Sequence, residues 1–374
     1  MKALPVDHSA WTAETDLLPL FHRLTLDTST EFLFGESLEA QLSALPGRNH
    51  KATSYGRGEV AFAHHWESAL RALSRGTRLG TQWKWAHNTA FREDRRKIHA
   101  FVDHFVQRAL SLPQEEIEKG SEPKNGKYIF LYAIAAQTRD PSALRSAALN
   151  ILIAGRDTTA QLLSWIFLLL AAHPRVFQQL RSRILKEFGT YDAPRNLDFA
   201  SLKNCRYLQW TMNETLRLFP LVPVNNREAQ RDTTLPVGGG PDGTRPVFVG
   251  KGEVVEFSLT TMHRRKDFWG PDANEFRPER WEARKMGWNY LPFNGGPRTC
   301  LGQQFALTEA GYVVVRLLQR FGELEGHGAW MADQVGDAQE DVGRIEGMGL
   351  VRHGLALSDA PGDGVRLRMK EMRG

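Results

Sequence analysis

Phe293-Asn294-Gly295-Gly296-Pro297-Arg298-Thr299-Cys300-Leu301-Gly302 is the stretch on which the reading of this chain turns. It holds one of only two cysteines, and three glycines, a proline and an arginine surround the thiol. That composition describes a shaped loop rather than a core strand. Gly295, Gly296 and Gly302 permit positive φ and let another object approach the backbone closely. From Gln303 to Phe321 the apolar residues Phe305, Leu307, Val313, Val314, Leu317 and Leu318 read as one face of a helix. Cys300 is therefore expected where a helix begins, and amides aimed at a sulfur there favour the thiolate. With Arg298 beside it, such a thiolate suits the axial position of a flat anionic cofactor. The bland alternative, a buried free cysteine acting as a small hydrophobe, is disfavoured by the ten-residue context.

The composition is compatible with that chemistry and excludes several others. A length of 374 residues suggests about two or three domains, but no linker divides the chain. The expected organisation is one domain over residues 1–374, mainly α with small β-sheets. With 41% hydrophobic and 24% charged residues, the chain can bury a large core. The net charge of +5 is mild, and no Lys/Arg run is interleaved with aromatics, so no nucleic-acid partner is expected. A basic face still suits an acidic redox partner or a membrane surface. Cys205 and Cys300 form neither a CxxC pair nor a disulfide framework, which fits a reducing compartment. The twelve histidines show no zinc spacing, and no P-loop, GxGxxG or GxSxG is present. Asp7, His8, Glu14 and Asp16 exclude a signal peptide or membrane anchor within Met1–Leu20. A sequon at Asn213-Glu214-Thr215 falls within a helix expected to be buried, which argues against glycosylation.

Taken in order, Leu20–Leu38 reads as a helix ending near Gly35, followed by a loop over 41–57. Gly58–Gly76 and Thr89–Leu110 are helices separated by the Trp83-Lys84-Trp85 link, and Leu112–Lys127 is polar and expected to be a mobile loop. After a short helix over Lys127–Thr138, Asp140 and Pro141 open the longest helix and Pro174 ends it, a length of about 50 Å. Its apolar stripe runs through Leu144, Ala148, Ile151, Leu152, Gly155, Thr159 and Leu162. Pro174–Gly189 and Ser201–Phe219 are further helices, and residues 224–262 are strand and turn in character. Residues 263–292 are irregular, and the tail from Gly322 alternates glycine with short β-like pieces.

Two helical segments carry polar groups that a plain core helix would not. Ala154-Gly155-Arg156-Asp157-Thr158 puts a glycine and an acid–hydroxyl pair mid-helix, with Ala154, Gly155 and Thr158 on one face. A flat ligand can press there, with Thr158 offering a proton and Asp157 relaying one. Close helix packing at Gly155 explains the same residues equally well. Glu214 and Arg217 lie three apart on one helix face. An exposed ion pair is the common reading of such spacing, but Trp210, Met212, Leu216, Leu218 and Phe219 around it argue for burial. Cys205 shows nothing beyond a core residue.

Phe293-x-x-Gly296-x-Arg298-x-Cys300-x-Gly302 resembles the haem-binding loop of the cytochromes P450. The resemblance implies a P450 fold, haem b ligated through iron by the Cys300 thiolate, and Phe293, Gly296 and Gly302 lying against it. Ala154–Thr159 resembles the oxygen-activating segment of that family, so Ala154 and Gly155 would face the haem. Thr158 would deliver protons to dioxygen, with Asp157 in support. Glu214-x-x-Arg217 resembles the family's ExxR helix, whose pair is completed by an arginine of a Pro-Glu-Arg motif, here Arg280. Arg227 and Arg298 fall where members contact the haem propionates, and His263 is either a third contact or a surface residue. Phe21–Leu38, Asn150–Ala160, Phe276–Trp281 and Phe293–Glu309 are similar to the fungal alkane- and fatty-acid-oxidising P450s of the fifty-two clan.

Nothing before Phe21 resembles the anchor, amino-terminal sheet and early helices of that clan. The expectation is an amino-terminally truncated P450 fold lacking its first helices. The resemblance implies a monooxygenase that hydroxylates a small apolar substrate, an n-alkane or fatty acid. It would use O2 and electrons from a separate NADPH-cytochrome P450 reductase. It also implies the cytosolic face of the endoplasmic reticulum membrane, or the cytoplasm for a chain without an anchor. Two rivals stand beside it: a remnant that binds haem weakly or not at all, and a P450-fold isomerase or dehydratase, against which the Asp157-Thr158 pair argues.

Overall fold

A computed structural model describes residues 4–45, 59–121, 128–284, 287–328, 345, 348, 351–355 and 357–372. Strand β1 (Thr15–Asp16) leads into α1 (Leu17–Phe34), followed by α2 (Ala40–Ser43), α3 (Glu59–Arg78), α4 (Thr89–Ser111), α5 (Gln114–Ser121) and α6 (Phe130–Ala135). Next come α7 (Pro141–Ala172), α8 (Pro174–Phe188), α9 (Phe199–Asn204) and α10 (Arg206–Leu218). The strands β2 (Val224–Glu228), β3 (Thr233–Gly239), β4 (Arg245–Val249) and β5 (Val254–Ser258) precede two short helices, α11 (Leu259–Met262) and α12 (Lys266–Trp269). Finally α13 (Gln303–Arg320) runs into β6 (Phe321–Gly326), with β7 (His353–Leu355), β8 (Asp359–Pro361) and β9 (Arg366–Glu371) behind it. The architecture is mainly α with small antiparallel sheets, as the patterning predicts.

Local chemistry fixes the helices that matter for the site. Asp16 caps α1 by accepting from the Leu18 amide at 3.1 Å, and Gly35 ends it in the left-handed region, φ 79°. Asp140 accepts from the Ser142 amide at 2.9 Å, Pro141 fills the first turn of α7, and Pro174 prevents its continuation. α7 carries two separate cores on one rod. Leu144, Ala148 and Leu152 pack with α1, α3 and α4, whereas Ala160 to Ala171 pack with α8, α10 and α13. The polar interruption at Arg156-Asp157-Thr158 falls between the two cores.

β9 is the central strand of a three-stranded antiparallel sheet, pairing Leu367 with Thr15 of β1 and Met369 with Leu324 of β6. β2 pairs with β5, β3 with β4 and β7 with β8 as two-stranded ribbons. Two expectations need correction. The helix expected over Ser201–Phe219 is two helices, because Cys205 turns extended (φ −71°, ψ 90°) and caps both. The polar stretch expected as a mobile loop contains α5, anchored by the fully buried Ile117. Its residues 122–127, and most of the loop expected over 41–57, lie outside the described residues.

Candidate functional site

The region behind the Cys300 loop is built on one buried carboxylate. Glu214 and Arg217 of α10 are both 0% exposed, and the guanidinium bonds both carboxylate oxygens at 2.9 Å. Arg280, in the 3-10 turn Pro278–Trp281, donates through Nε to Glu214 Oε1 at 2.8 Å. Trp281 Nε1 donates to Oε2 at 2.9 Å, and the Arg277 amide to Oε1 at 3.1 Å. The remaining Arg217 donors reach the carbonyls of His263, Ala273 and Glu275 at 2.9, 2.6 and 3.1 Å. One α10 residue pair thus ties down the irregular chain from 263 to 281. Burial depresses the Arg280 pKa, but the Glu214 carboxylate outweighs it and the net shift is upward.

His263 belongs to this core and is neither a propionate contact nor a surface residue. It is fully buried, and its Nε2 accepts from the Leu291 amide at 2.9 Å. Burial, aided by Arg217, pushes its pKa down to about 4, so the ring is neutral. Through Leu291 it holds the strand of chain that enters the Cys300 loop.

The loop itself is closed by the Cys300 amide, which donates to the Phe293 carbonyl at 2.8 Å. Phe293 packs against the larger core. The glycines play unequal parts. Only Gly296 adopts positive φ, 68°, while Gly295 is extended and Gly302 has φ −87°. Asn294 supplies the second left-handed residue, φ 64°. At Gly295 a Cβ would come within 2.9 Å of the Trp288 ring, but at Gly296 or Gly302 it would meet nothing within 4 Å. Cys300, Arg298 and Gly302 are all exposed, and Cys300 lies three residues ahead of the first α13 residue. Leu301 is 86% exposed.

Helix α1 lies between α13 and the polar segment of α7. Phe32 of α1 packs on Phe305 of α13 with ring centroids 5.1 Å apart, and Thr28 donates to the Glu309 carboxylate. On its other side Ser29 Oγ lies 3.4 Å from where a Gly155 Cβ would stand. Within α7, Ala154 is exposed and the Thr158 hydroxyl donates to the Ala154 carbonyl at 2.5 Å. The proton assigned to delivery is therefore held by the helix backbone. Asp157 turns towards Arg156, whose Nη1 donates to Oδ1 at 2.8 Å, and towards His22 of α1. Arg156 also reaches Glu67 of α3 at 3.1 Å. Burial raises the Asp157 pKa, but His22 and Arg156 outweigh it and hold the carboxyl below its ordinary value.

A family model described as cytochrome P450 matches residues 6–328. The chain belongs to the cytochrome P450 family. It is 52% identical over 323 residues to cytochrome P450 monooxygenase g430 of a Fusarium species, an alignment covering 86% of this chain and 56% of that protein. To cytochrome P450 52A13 of Debaryomyces hansenii it is 52% identical over 313 residues, 82% of this chain and 59% of the relative. To cytochrome P450 52A1 of Candida tropicalis it is 49% identical over 317 residues, 83% and 57%. This P450 thus spans less than two thirds of the length of the curated relatives it matches, and its resemblance is to the fungal fifty-two type.

The residues present in this P450 fit haem. The Cys300 thiol lies open on the surface, room is left over Gly296 and Gly302, and the uncovered Leu301 and Phe305 offer apolar area to a macrocycle. Arg298 stands exposed on the same loop. Arg227 is turned onto its own strand, donating to Asn225 Oδ1 at 3.0 Å and the Asn226 carbonyl at 2.6 Å. Cys205 is a core residue whose thiol burial pushes up to about 12. The sequence reading missed His22, Glu67 and the burial of His263. Arg156 was the signal for the first two, since a buried guanidinium in an apolar helix requires partners.

Proposed function

We propose that this chain is a haem-thiolate monooxygenase hydroxylating an n-alkane or fatty acid, with O2 and electrons from a separate NADPH-dependent reductase. The observation that carries the reading is the Cys300 loop: an exposed thiol on a glycine-opened turn, backed by the Glu214–Arg217–Arg280 core. When bound, the haem supplies the oxygen chemistry that inserts one oxygen atom into an apolar C–H bond. Cys300 would hold the iron and Arg298 a propionate, Arg suiting a carboxylate through charge-assisted bonds. Ala154, exposed on α7, offers a small-residue surface for the ligand, whereas Gly155 packs towards Ser29 of α1. Thr158 holds a proton on its hydroxyl, shared with the Ala154 carbonyl, and Asp157 would resupply it. Location at the endoplasmic reticulum membrane is proposed on the same footing. Among the described residues no single helix is long and apolar enough to cross a membrane.

The second reading is a chain that takes up haem weakly or not at all. One experiment separates the two. The full chain is expressed with haem supplied, reduced and exposed to carbon monoxide. The expected result is a red-shifted Soret band characteristic of thiolate ligation, absent in Cys300→Ala together with all alkane oxidation. No band in the unsubstituted chain selects the second reading, and turnover retained by Cys300→Ala overturns the first.

A further inference from the structure

Two basic side chains converge on one oxygen of Asp157. Arg156 Nη1 stands 2.8 Å from Oδ1, and His22 Nδ1, from α1, stands 3.5 Å from the same atom. The His22 side chain is 22% exposed, and its Nδ1 is buried and makes no hydrogen bond, so its approach to Oδ1 is an electrostatic contact. Arg156 is itself committed on its far side to Glu67, whose side chain is half exposed on α3. Oδ2 of Asp157 accepts no hydrogen bond among the described residues.

We infer that His22 is a positioning residue for Asp157: from α1 it works with Arg156 to clamp Oδ1, and so fixes the carboxyl beside Thr158. The clamp has chemical consequences. A carboxylate carrying two basic neighbours on one oxygen stays ionised, and its second oxygen is the one left to accept a proton and pass it on. On the monooxygenase reading, Oδ2 would take a proton from solvent hydronium and hand it to the Thr158 hydroxyl as that hydroxyl gives its own to dioxygen, which returns both side chains to their starting charge. Glu67 places one end of the network at the solvent. Because His22 belongs to a different helix from Asp157, the clamp also couples carboxyl orientation to the packing of α1 on α7. The relay consequence rests on the monooxygenase reading above, but the clamp does not.

The test follows Asp157 directly. In the full chain carrying carboxyl-labelled aspartate, NMR titration reads the Asp157 midpoint, with Asp157→Asn identifying the signal. His22→Phe is expected to raise the midpoint by about one unit, tenfold in proton affinity. His22→Gln, which keeps an N–H donor, is expected to recover part of that shift. Packing alone does not produce this pattern. Should His22→Phe fail to fold, His22→Ala, which only removes atoms, carries the same reading. An unmoved midpoint in a folded variant overturns the clamp. The carbon monoxide spectrum of the same samples keeps the two conclusions apart. A normal thiolate band with an unmoved midpoint retires the clamp alone. A raised midpoint without any band supports the clamp and retires the monooxygenase reading.

Discussion

Two polar regions of this P450, the Glu214 core and the Cys300 loop in front of it, solve opposite problems. Around Glu214 both carboxylate oxygens and every Arg217 donor have found protein partners. Around Cys300 only the backbone is tied: the thiol, Arg298 and Leu301 are exposed, and a Cβ at Gly296 or Gly302 would meet no atom within 4 Å. The first region is complete as protein. The second is shaped and exposed, and its apolar area at Leu301 and Phe305 is the kind that an external surface covers. The difference teaches how to tell a structural motif from a functional one, by asking whether its hydrogen-bond capacity is spent within the chain.

The comparison breaks first at Glu214. Glu214→Ala would leave Arg217, fully buried, and Arg280 charged with no carboxylate between them. The expected cost is about 3–5 kcal/mol, as for a buried ion pair that loses one partner, and it reads as loss of soluble chain or of a cooperative melting transition. A melting temperature close to that of the unsubstituted protein would show that the cluster is not the support described.

A smaller effect comes from one titrating group on each side. His263, behind the loop, is neutral when folded with a pKa of about 4, against 6.5 in the unfolded chain. The unfolded state therefore binds the extra proton, and stability falls as pH drops from 6.5 towards 4. Glu309 on α13 goes the other way. Burial raises its pKa from 4.5 to about 7, against the opposing Thr28 hydrogen bond, so the folded state holds the proton and stability falls as pH rises across that range. Each slope is at most about 1.4 kcal/mol per pH unit for one proton. Between pH 4.5 and 6.5 they oppose each other, which predicts a flat melting profile in the unsubstituted protein. Glu309→Gln should unmask a loss on acidification and His263→Gln a loss on alkalinisation. Identical profiles in both variants would sink the assignment.

Legibility in the sequence followed the same division. Motifs whose chemistry is local were readable: the glycines and cysteine of the loop, the Glu214–Arg217 spacing, and the Asp140-Pro141 start of α7. What depended on distant packing was not. His263 looks like any histidine before an arginine until Arg217, 46 residues earlier, is seen bonding its carbonyl. The break at Cys205 has no glycine or proline to announce it, and α5 is polar except for Ile117, whose burial is decided by α6 and its neighbours. His22 was invisible for a similar reason. Its partner is 135 residues away, and only the docking of α1 on α7 joins them.

The smallest expected effect on the fold is at the residue with the largest expected effect on function. Cys300 is exposed, and its backbone amide, not its sulfur, closes the loop onto Phe293 at 2.8 Å. Alanine keeps that amide and removes only a sulfur that nothing packs. Cys300→Ala should therefore shift stability by no more than about 0.5 kcal/mol, the range of surface substitutions, as read from thermal unfolding without haem. The same experiment with haem present sharpens the contrast. A ligand that binds only the folded chain raises its stability by mass action. If haem is held through the thiolate, the unsubstituted protein gains a higher melting temperature and Cys300→Ala gains little. Equal gains would mean that the loop cradles haem without its sulfur, and a large loss in the haem-free variant would mean that the loop is packed after all.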